Sequence, residues 1–573
     1  MKTYKKSSLA LAASAALATL CMGRAAHAGE AIDLGDGLQL DWRLGTTYTL
    51  AQRMKARDPL LSGSNNAGGN DGNNNFDKGA LTANRLGALL ESKLSKGNSG
   101  LVLSGSTFYD DVYHRGTDNK FAINQPQPAS QFHSETKRLH GGYTRLLDAY
   151  GYTSFDTGSV GRLNMKLGRH VVSWGEALFF PGISLAQGPA DGTKTGVVGT
   201  ETKDQLLPED QISATLEVNT EWTLLAHAQY NWHPTQSAAP GSFLSTSDGI
   251  GDGASCLGPY ASIPAVPPLF GGYSGCSFGQ RGDDIKPKKT GQYGVGTRYR
   301  VSDETELGLY YLNYHDRTPL PEINAFTPGV AIPVALQPAF GGLTQIGNGS
   351  YRVRYFDNIK LLGTSFSTTF GAVAVAGEIS KKFGAPVLVN AVVNPATGAT
   401  IATPTRADIV QANVNAFYNI GRTPLADGTV LLAELAYVKI DNIEARKAVG
   451  AENFPAAFGF TAGNTPNFGT DHGLAFSSTL ALSYPGIFEG WDLGVPISMS
   501  NQLQGRTILG GLGSGSAKGD IRYSLGATFT RRGNFSVGVS YQGYGGHASP
   551  ADPLTNLQLV DRDQLSLVMK YAL

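Results

Sequence analysis

The last ten residues limit the fold more than any other stretch. Gln564 to Leu573 reads QLSLVMKYAL, with Leu565, Leu567, Met569, Tyr571 and Leu573 on one face of a strand and Ser566, Val568, Lys570 and Ala572 on the other. Side chains of a strand alternate with a period of two, so the chain ends on an apolar row backed by a mostly small or polar one. The same pattern opens the chain. Leu38, Leu40, Trp42, Leu44, Thr46, Tyr48 and Leu50 alternate with Gln39, Asp41, Arg43, Gly45, Thr47 and Thr49. A soluble sandwich rarely starts on so long a two-faced strand, whereas a tilted strand of ~9–11 residues crosses a bilayer.

Repeated along the chain, this alternation predicts strands at 38–50, 84–94, 100–109, 142–155, 161–173, 209–218, 221–232, 291–301, 305–315, 358–369, 371–380, 408–419, 429–440, 473–484, 491–500, 521–530, 534–543 and 564–573. Connections after the even-numbered strands are short, such as Asn219–Thr220 and Ser302–Glu304, and those after the odd-numbered ones are long. Tight turns on one side and long loops on the other are the habit of outer-membrane barrels. Unpaired backbone amides are too costly in hydrocarbon for an open sheet, so such strands must close into a ring. The expectation is an all-β transmembrane antiparallel barrel of about eighteen strands, with sixteen as the alternative. An aromatic two residues before an apolar terminus resembles the C-terminal assembly signal of bacterial outer-membrane barrels, with Leu573 in place of the usual Phe.

The N-terminus reads as an export signal. Lys2, Lys5 and Lys6 precede the apolar run Leu9–Cys21, and Ala26-His27-Ala28 fits the small-x-small cleavage rule. Residues 1–28 are expected to be cleaved, leaving one barrel domain over 29–573. Lipoprotein processing at Cys21 is the rival reading, opposed by the bulky Leu20 before it. Lys2, Lys5, Lys6 and Arg24 lie in that segment and no acid does, so 46 basic residues become 42 against 46 acids. No basic patch invites nucleic acid, and no apolar run is long enough for a spanning helix. Cys256 and Cys276 remain as an even pair in an exported chain, for which a disulfide is the default.

Four stretches carry a family resemblance: NNNFDKGALTANR at Asn73–Arg85, NMKLGRHVVSWGEALFFPGI at Asn164–Ile183, YHDRTP at Tyr314–Pro319, and Asp561-Arg562-Asp563. Together they resemble the proteobacterial outer-membrane family labelled domain of unknown function 1302, from about residue 37 to the end. His170 stands where Gln is expected. The resemblance implies a barrel and, more loosely, association with exporters of the resistance-nodulation-division type and with hydrophobic compounds such as lipids, hydrocarbons or steroids.

Candidate chemistry is sparse. Gly275-Cys276-Ser277-Phe278-Gly279 matches GxSxG, but lies in a long loop rather than at a strand-to-helix elbow. Asp71, Asn73, Asn75 and Asp77 alternate as in a calcium loop, but Phe76 and Thr82 replace the required Gly and Glu, which leaves at most a loose calcium site. No catalytic residue and no cofactor is expected. Arg162, Asn164, Lys166 and His170 share one face of their strand, either as a basic ladder lining the lumen or as a solvated wall paired with acids such as Asp41 or Glu378. Trp174 to Pro208 is the third long loop. Trp174, Phe179, Phe180, Pro181 and Ile183 are too apolar for a freely exposed loop, and Glu176 among them needs a partner such as Arg169 or Lys166. The loop either folds inward as a constriction or packs at the rim.

Three functions fit. The first is an outer-membrane barrel that passes or binds small, partly hydrophobic solutes. The second is a membrane enzyme such as a lipase, for which Ser277 is the only motif candidate. The third is a non-conducting docking component of an envelope export system. Outer-membrane lipids are the expected surroundings in the first and third.

Overall fold

The computed structural model describes residues 31–573, apart from 64, 66–68, 122–129, 201, 258–259, 264–272, 277–278, 327–329, 332–333, 335–344, 347–349, 468, 507–515, 532–533 and 551–555. The expected signal segment and Ser277 lie outside the described residues.

Eighteen antiparallel strands form a closed ring. They are β1 (Leu38–Arg53), β2 (Leu81–Lys96), β3 (Ser99–Asp110), β4 (Thr144–Asp156), β5 (Arg162–His170), β6 (Glu209–Glu217), β7 (Trp222–Gln229), β8 (Gln292–Arg300), β9 (Glu306–Tyr314), β10 (Ile359–Phe370), β11 (Val373–Asn394), β12 (Ala399–Gly421), β13 (Gly428–Asp441), β14 (His472–Phe488), β15 (Trp491–Gly505), β16 (Ile521–Arg531), β17 (Phe535–Gly545) and β18 (Gln564–Ala572). A short strand, Ile32–Gly35, folds back onto the start of β1. The ring closes where β18 pairs with β1, from Gly45↔Ala572 to Arg53↔Gln564. Both terminal strands thus lose their open edges, which is the condition for crossing hydrocarbon.

The register sorts the two faces as the alternation predicts. Leu101, Leu103, Leu224, Val295, Leu309, Leu362, Val414, Leu525 and Val539 are exposed on the outside of the ring. Two aromatic belts border them. Phe155, Trp222, Tyr299, Phe370, Phe488 and Tyr571 stand at the tight-turn end, and Tyr109, Tyr230, Tyr293, Phe383, Tyr437 and Tyr523 at the long-loop end. An apolar band between aromatic girdles is the outer surface of a protein seated in a bilayer, with tight turns in the periplasm and loops outside. Among the described residues no helix is long and apolar enough to span. The protein is an outer-membrane β-barrel.

Two elements depart from the predicted boundaries. β5 ends at His170 rather than at 173, because the chain leaves the wall there to enter the lumen. The stretch 381–407, expected as a long loop, instead prolongs β11 and β12 to 22 and 23 residues, joined by the turn 395–398. The prolonged hairpin rises past the bilayer and is covered on both faces. Val387, Leu388 and Val389 are all buried, so the run loses the two-faced alternation that marks the other strands. A bulge between Lys382 and Ala385 separates its membrane and outer parts.

Cys256 and Cys276 are disulfide-bonded, with Cα atoms 5.1 Å apart, within the connection between β7 and β8.

Candidate functional site: a loop across the lumen

The connection from β5 to β6, residues 171–208, crosses the inside of the barrel. Gly175 adopts φ +96°, a conformation open to glycine, and turns the chain off the wall. Trp174 is buried against the inner faces of two strands, its ring 4.9 Å from His227 of β7 and stacked 5.9 Å from Tyr310 of β9. The chain then meets two buried carboxylates. Glu378 of β11 accepts the amides of Glu176 at 2.7 Å, Ala177 at 3.3 Å and Ile183 at 3.0 Å. Glu434 of β13 accepts those of Leu178 at 3.0 Å, Phe180 at 3.3 Å and Phe179. Asn413 donates to Glu434 and to the Phe180 carbonyl, each at 2.7 Å, and Asn415 donates to the Glu176 carbonyl at 2.6 Å. A buried carboxylate is costly unless its lone pairs are filled by donors, and six backbone amides fill these two. Gly182 is required by proximity, since a Cβ there would collide with the Glu378 carboxylate.

Beyond this contact the segment returns. Arg317 donates to the Ala186 carbonyl at 3.3 Å and to Gln229 of β7 at 2.7 Å, and Gln229 donates to the Gln187 carbonyl at 2.6 Å. Asp191, fully buried, binds Arg145 of β4 at 2.5 Å and Tyr143 at 2.6 Å. Burial pushes the Asp191 carboxyl up, but Arg145, Thr193 and Tyr143 together outweigh it and hold it below the usual carboxylate range. Further on, the Val198 carbonyl accepts from Thr49 of β1 at 3.2 Å, and Lys203 pairs with Glu91 of β2. β4 and β13 stand on opposite sides of the ring. One loop therefore touches both sides and divides the lumen.

The predicted site residues fall in different places. Lys166 is exposed to a cavity beneath the loop. Arg162 is exposed at the periplasmic end of the same strand and donates to Ser154 at 3.1 Å. His170 is buried, its ring nitrogens on the Gly168 carbonyl at 3.0 Å and on Ser213 at 2.7 Å. Phe180 is buried against Ala436 and Ala475, while Phe179 is 37% exposed. Glu176 does not pair with Arg169 or Lys166 as expected. Arg169 binds Asp210 at 2.9 Å on the outer face. Burial pushes the Glu176 carboxyl up; Arg298 opposes that, and Glu306 and Glu378 add to it. Glu378, read as a partner for the basic ladder, instead holds the loop. It and Glu434 are lone acids in otherwise small or apolar stretches, VAVAGEI and LLAELA, and that isolation was the available signal.

The calcium candidates are otherwise engaged. Asn73 accepts from Arg53 at 2.6 Å and donates to Asp561 at 2.8 Å, Asn75 donates to the Gly241 carbonyl at 2.8 Å, and Asp77 pairs with Arg57 at 2.8 Å. Asp71 is buried in a single helical turn, Asp71–Asn74. Among the described residues no cluster of His, Cys, Asp or Glu is arranged to hold a metal. These contacts instead clamp the seam of the ring. Arg53 at the end of β1 reaches Asp561, just before β18, at 2.9 Å. Asp563 accepts from Tyr541 of β17 at 2.6 Å and pairs with Lys55 at 3.1 Å.

Comparison with solved structures gives low-identity similarities along most of the chain. OccAB1 of Acinetobacter baumannii aligns at 8% identity and TM-score 0.43, covering 96% of this chain and 99% of its own. OpdK of Pseudomonas aeruginosa, solved with vanillate, aligns at 12% identity and TM-score 0.39, covering 93% and 98%. No curated protein matches the chain. The profile described as protein of unknown function (DUF1302) matches residues 9–573. The four resemblance motifs now have places: two hold the loop across the lumen, and two hold the seam. The chain belongs to the DUF1302 family.

Proposed function

We propose that the protein is an outer-membrane channel for small, partly hydrophobic solutes, and that residues 171–208 set what passes. The carrying observation is the loop that spans from Asp191 on the β4 side to Phe180 on the β13 side. Passage needs no catalytic residues, in keeping with a lumen in which Glu378 and Glu434 are occupied in holding backbone. The space the loop leaves is lined unevenly. Towards the outside a cavity of about 780 Å³ is lined by Leu320, Pro321, Leu388 and Leu559 together with Ser498, Ser500 and Ser524. Mixed apolar and hydroxyl lining suits solutes with an apolar body and few polar groups.

The test is single-channel recording in planar bilayers. Deleting Ala177 to Ser184 removes five of the six amide contacts to Glu378 and Glu434, and conductance is expected to rise several-fold with loss of selectivity while the barrel still folds. Unchanged conductance in a folded deletion variant would place the constriction elsewhere. Silence of both forms would favour a docking component of an export system.

A further inference from the structure

Beneath the crossing loop, on the periplasmic side, the inner faces of β2, β4, β5 and β6 border a cavity of about 700 Å³. Two lysines enter it from strands on either side of β4. Lys93 lies with its Nζ 5.6 Å from the centre of the Tyr152 ring, and Lys166 with its Nζ 5.4 Å from that of Tyr150. Register sets each beside the tyrosines of β4: Tyr152 is directly opposite Lys166, and Lys93 is opposite Val102, which in turn is opposite Tyr150. Trp174, Asn164 and Glu217 also line it.

Among the described residues neither ammonium has a carboxylate within ion-pair distance, although other lysines in the barrel, such as Lys55 and Lys194, do. The acids nearby hold other partners, although Glu217 is on the cavity wall and Asp41 is directly opposite Lys93 in register. Glu217 accepts from Asn164 at 3.0 Å, Asp148 from Ser104 at 2.9 Å, Asp41 from Gln39 at 3.1 Å, and Glu91 pairs with Lys203. The site therefore offers two cationic groups, two half-buried aromatic faces and room for a drug-sized body. An inorganic anion would use the ammonium groups and leave the rings uncovered. A neutral hydrocarbon would use the rings and leave the ammonium groups without an ion-pair partner.

We infer that Lys93 and Lys166, with Tyr150 and Tyr152, form a binding site for an organic carboxylate bearing a flat apolar ring system. The carboxylate lies between the ammonium groups and the ring against the tyrosines. This names a solute class for the channel and rests on that reading for its role in passage, although binding itself is independent of conduction.

Equilibrium dialysis of 2-naphthoate against the full-length barrel in detergent tests the site, with 2-naphthol as the uncharged match. Wild type is expected to bind naphthoate at least about tenfold more tightly than naphthol, and the Lys93→Met/Lys166→Met variant to lose about tenfold in naphthoate affinity. Tyr150→Leu is expected to weaken both ligands. Heat-modifiable gel mobility reports whether each variant remains folded. Equal affinities for the two ligands, or naphthoate binding unchanged in a folded double-lysine variant, would overturn the site. Unchanged binding in Tyr150→Leu would overturn its ring component. A protein that binds naphthoate but does not conduct would overturn the channel reading alone.

Discussion

At the scale of single residues, the lumen is organised by carboxylates that accept backbone amides. Replacing Glu434 with Gln removes the charge from three of the six amide contacts and turns one acceptor oxygen into a donor. Hydrogen bonds to a charged group are worth about 1.5–3 kcal/mol each. The expected outcome is a folded barrel with a released loop, read as larger and noisier single-channel current. Gly182→Ala should act the same way through steric conflict with Glu378. Glu176 makes a different prediction. Burial raises its carboxyl pKa, so it takes up its proton at a higher pH than an ordinary glutamate. As pH falls, the constriction should lose one negative charge before ordinary carboxylates titrate. Reversal potentials in a salt gradient would show that step, and Glu176→Gln should abolish it. A step that persists in the variant would assign it to another group.

At the scale of elements, the loops divide into those that shape the lumen and those that cap it. The bridge between Cys256 and Cys276 spans 20 residues within a connection that lies outside the bilayer. Closing a loop of this size is worth about 3 kcal/mol in the chain-entropy picture, but it orders the loop rather than the ring. The Cys256→Ser/Cys276→Ser protein is expected to keep its heat-modifiable mobility while its outer loops become sensitive to added protease. Loss of the folded band would mean that this connection takes part in assembly. The prolonged hairpin of β11 and β12 belongs with the cap, since its outer half packs against Ala448, Ala451, Phe326 and Phe460 rather than lipid.

For the whole molecule, stability depends on which face of each strand meets hydrocarbon. Leu480 of β14 is opposite Leu431 and Ile497 on the outer face, while Thr479 bonds Ser498 at 2.9 Å on the inner one. Leu480→Arg near the midplane is expected to destabilise by ~2–4 kcal/mol, and Thr479→Arg by much less. Urea unfolding in lipid vesicles measures both, and equal costs would contradict the facing. The ring is also fastened at its seam. Arg53, Asn73 and Asp561 join the ends of a chain 508 residues apart in sequence. Breaking that cluster with Asn73→Ala should slow closure more than it changes any other strand pair.

All eighteen strands and their facing were legible in the sequence, because lipid on one side and water on the other impose a period of two locally, residue by residue. The tight turns showed the even strand number for the same reason. The disulfide followed from there being only two cysteines after the proposed cleavage. Residues within Trp174–Ile183 read as too apolar for an exposed loop, but neither their position nor their partners could be read. The Glu176 amide meets Glu378 across 202 residues, and the Phe180 amide meets Glu434 across 254. Such contacts exist only once the ring has closed and brought β5 opposite β11 to β13. The same holds for the seam: Asn73 and Asp77 read as at most a loose calcium loop, and the closed barrel uses them as partners of Arg53 and Arg57. The outer half of the β11–β12 hairpin escaped notice because neighbouring loops bury both of its faces, and burial on both faces removes the alternation by which a strand declares itself.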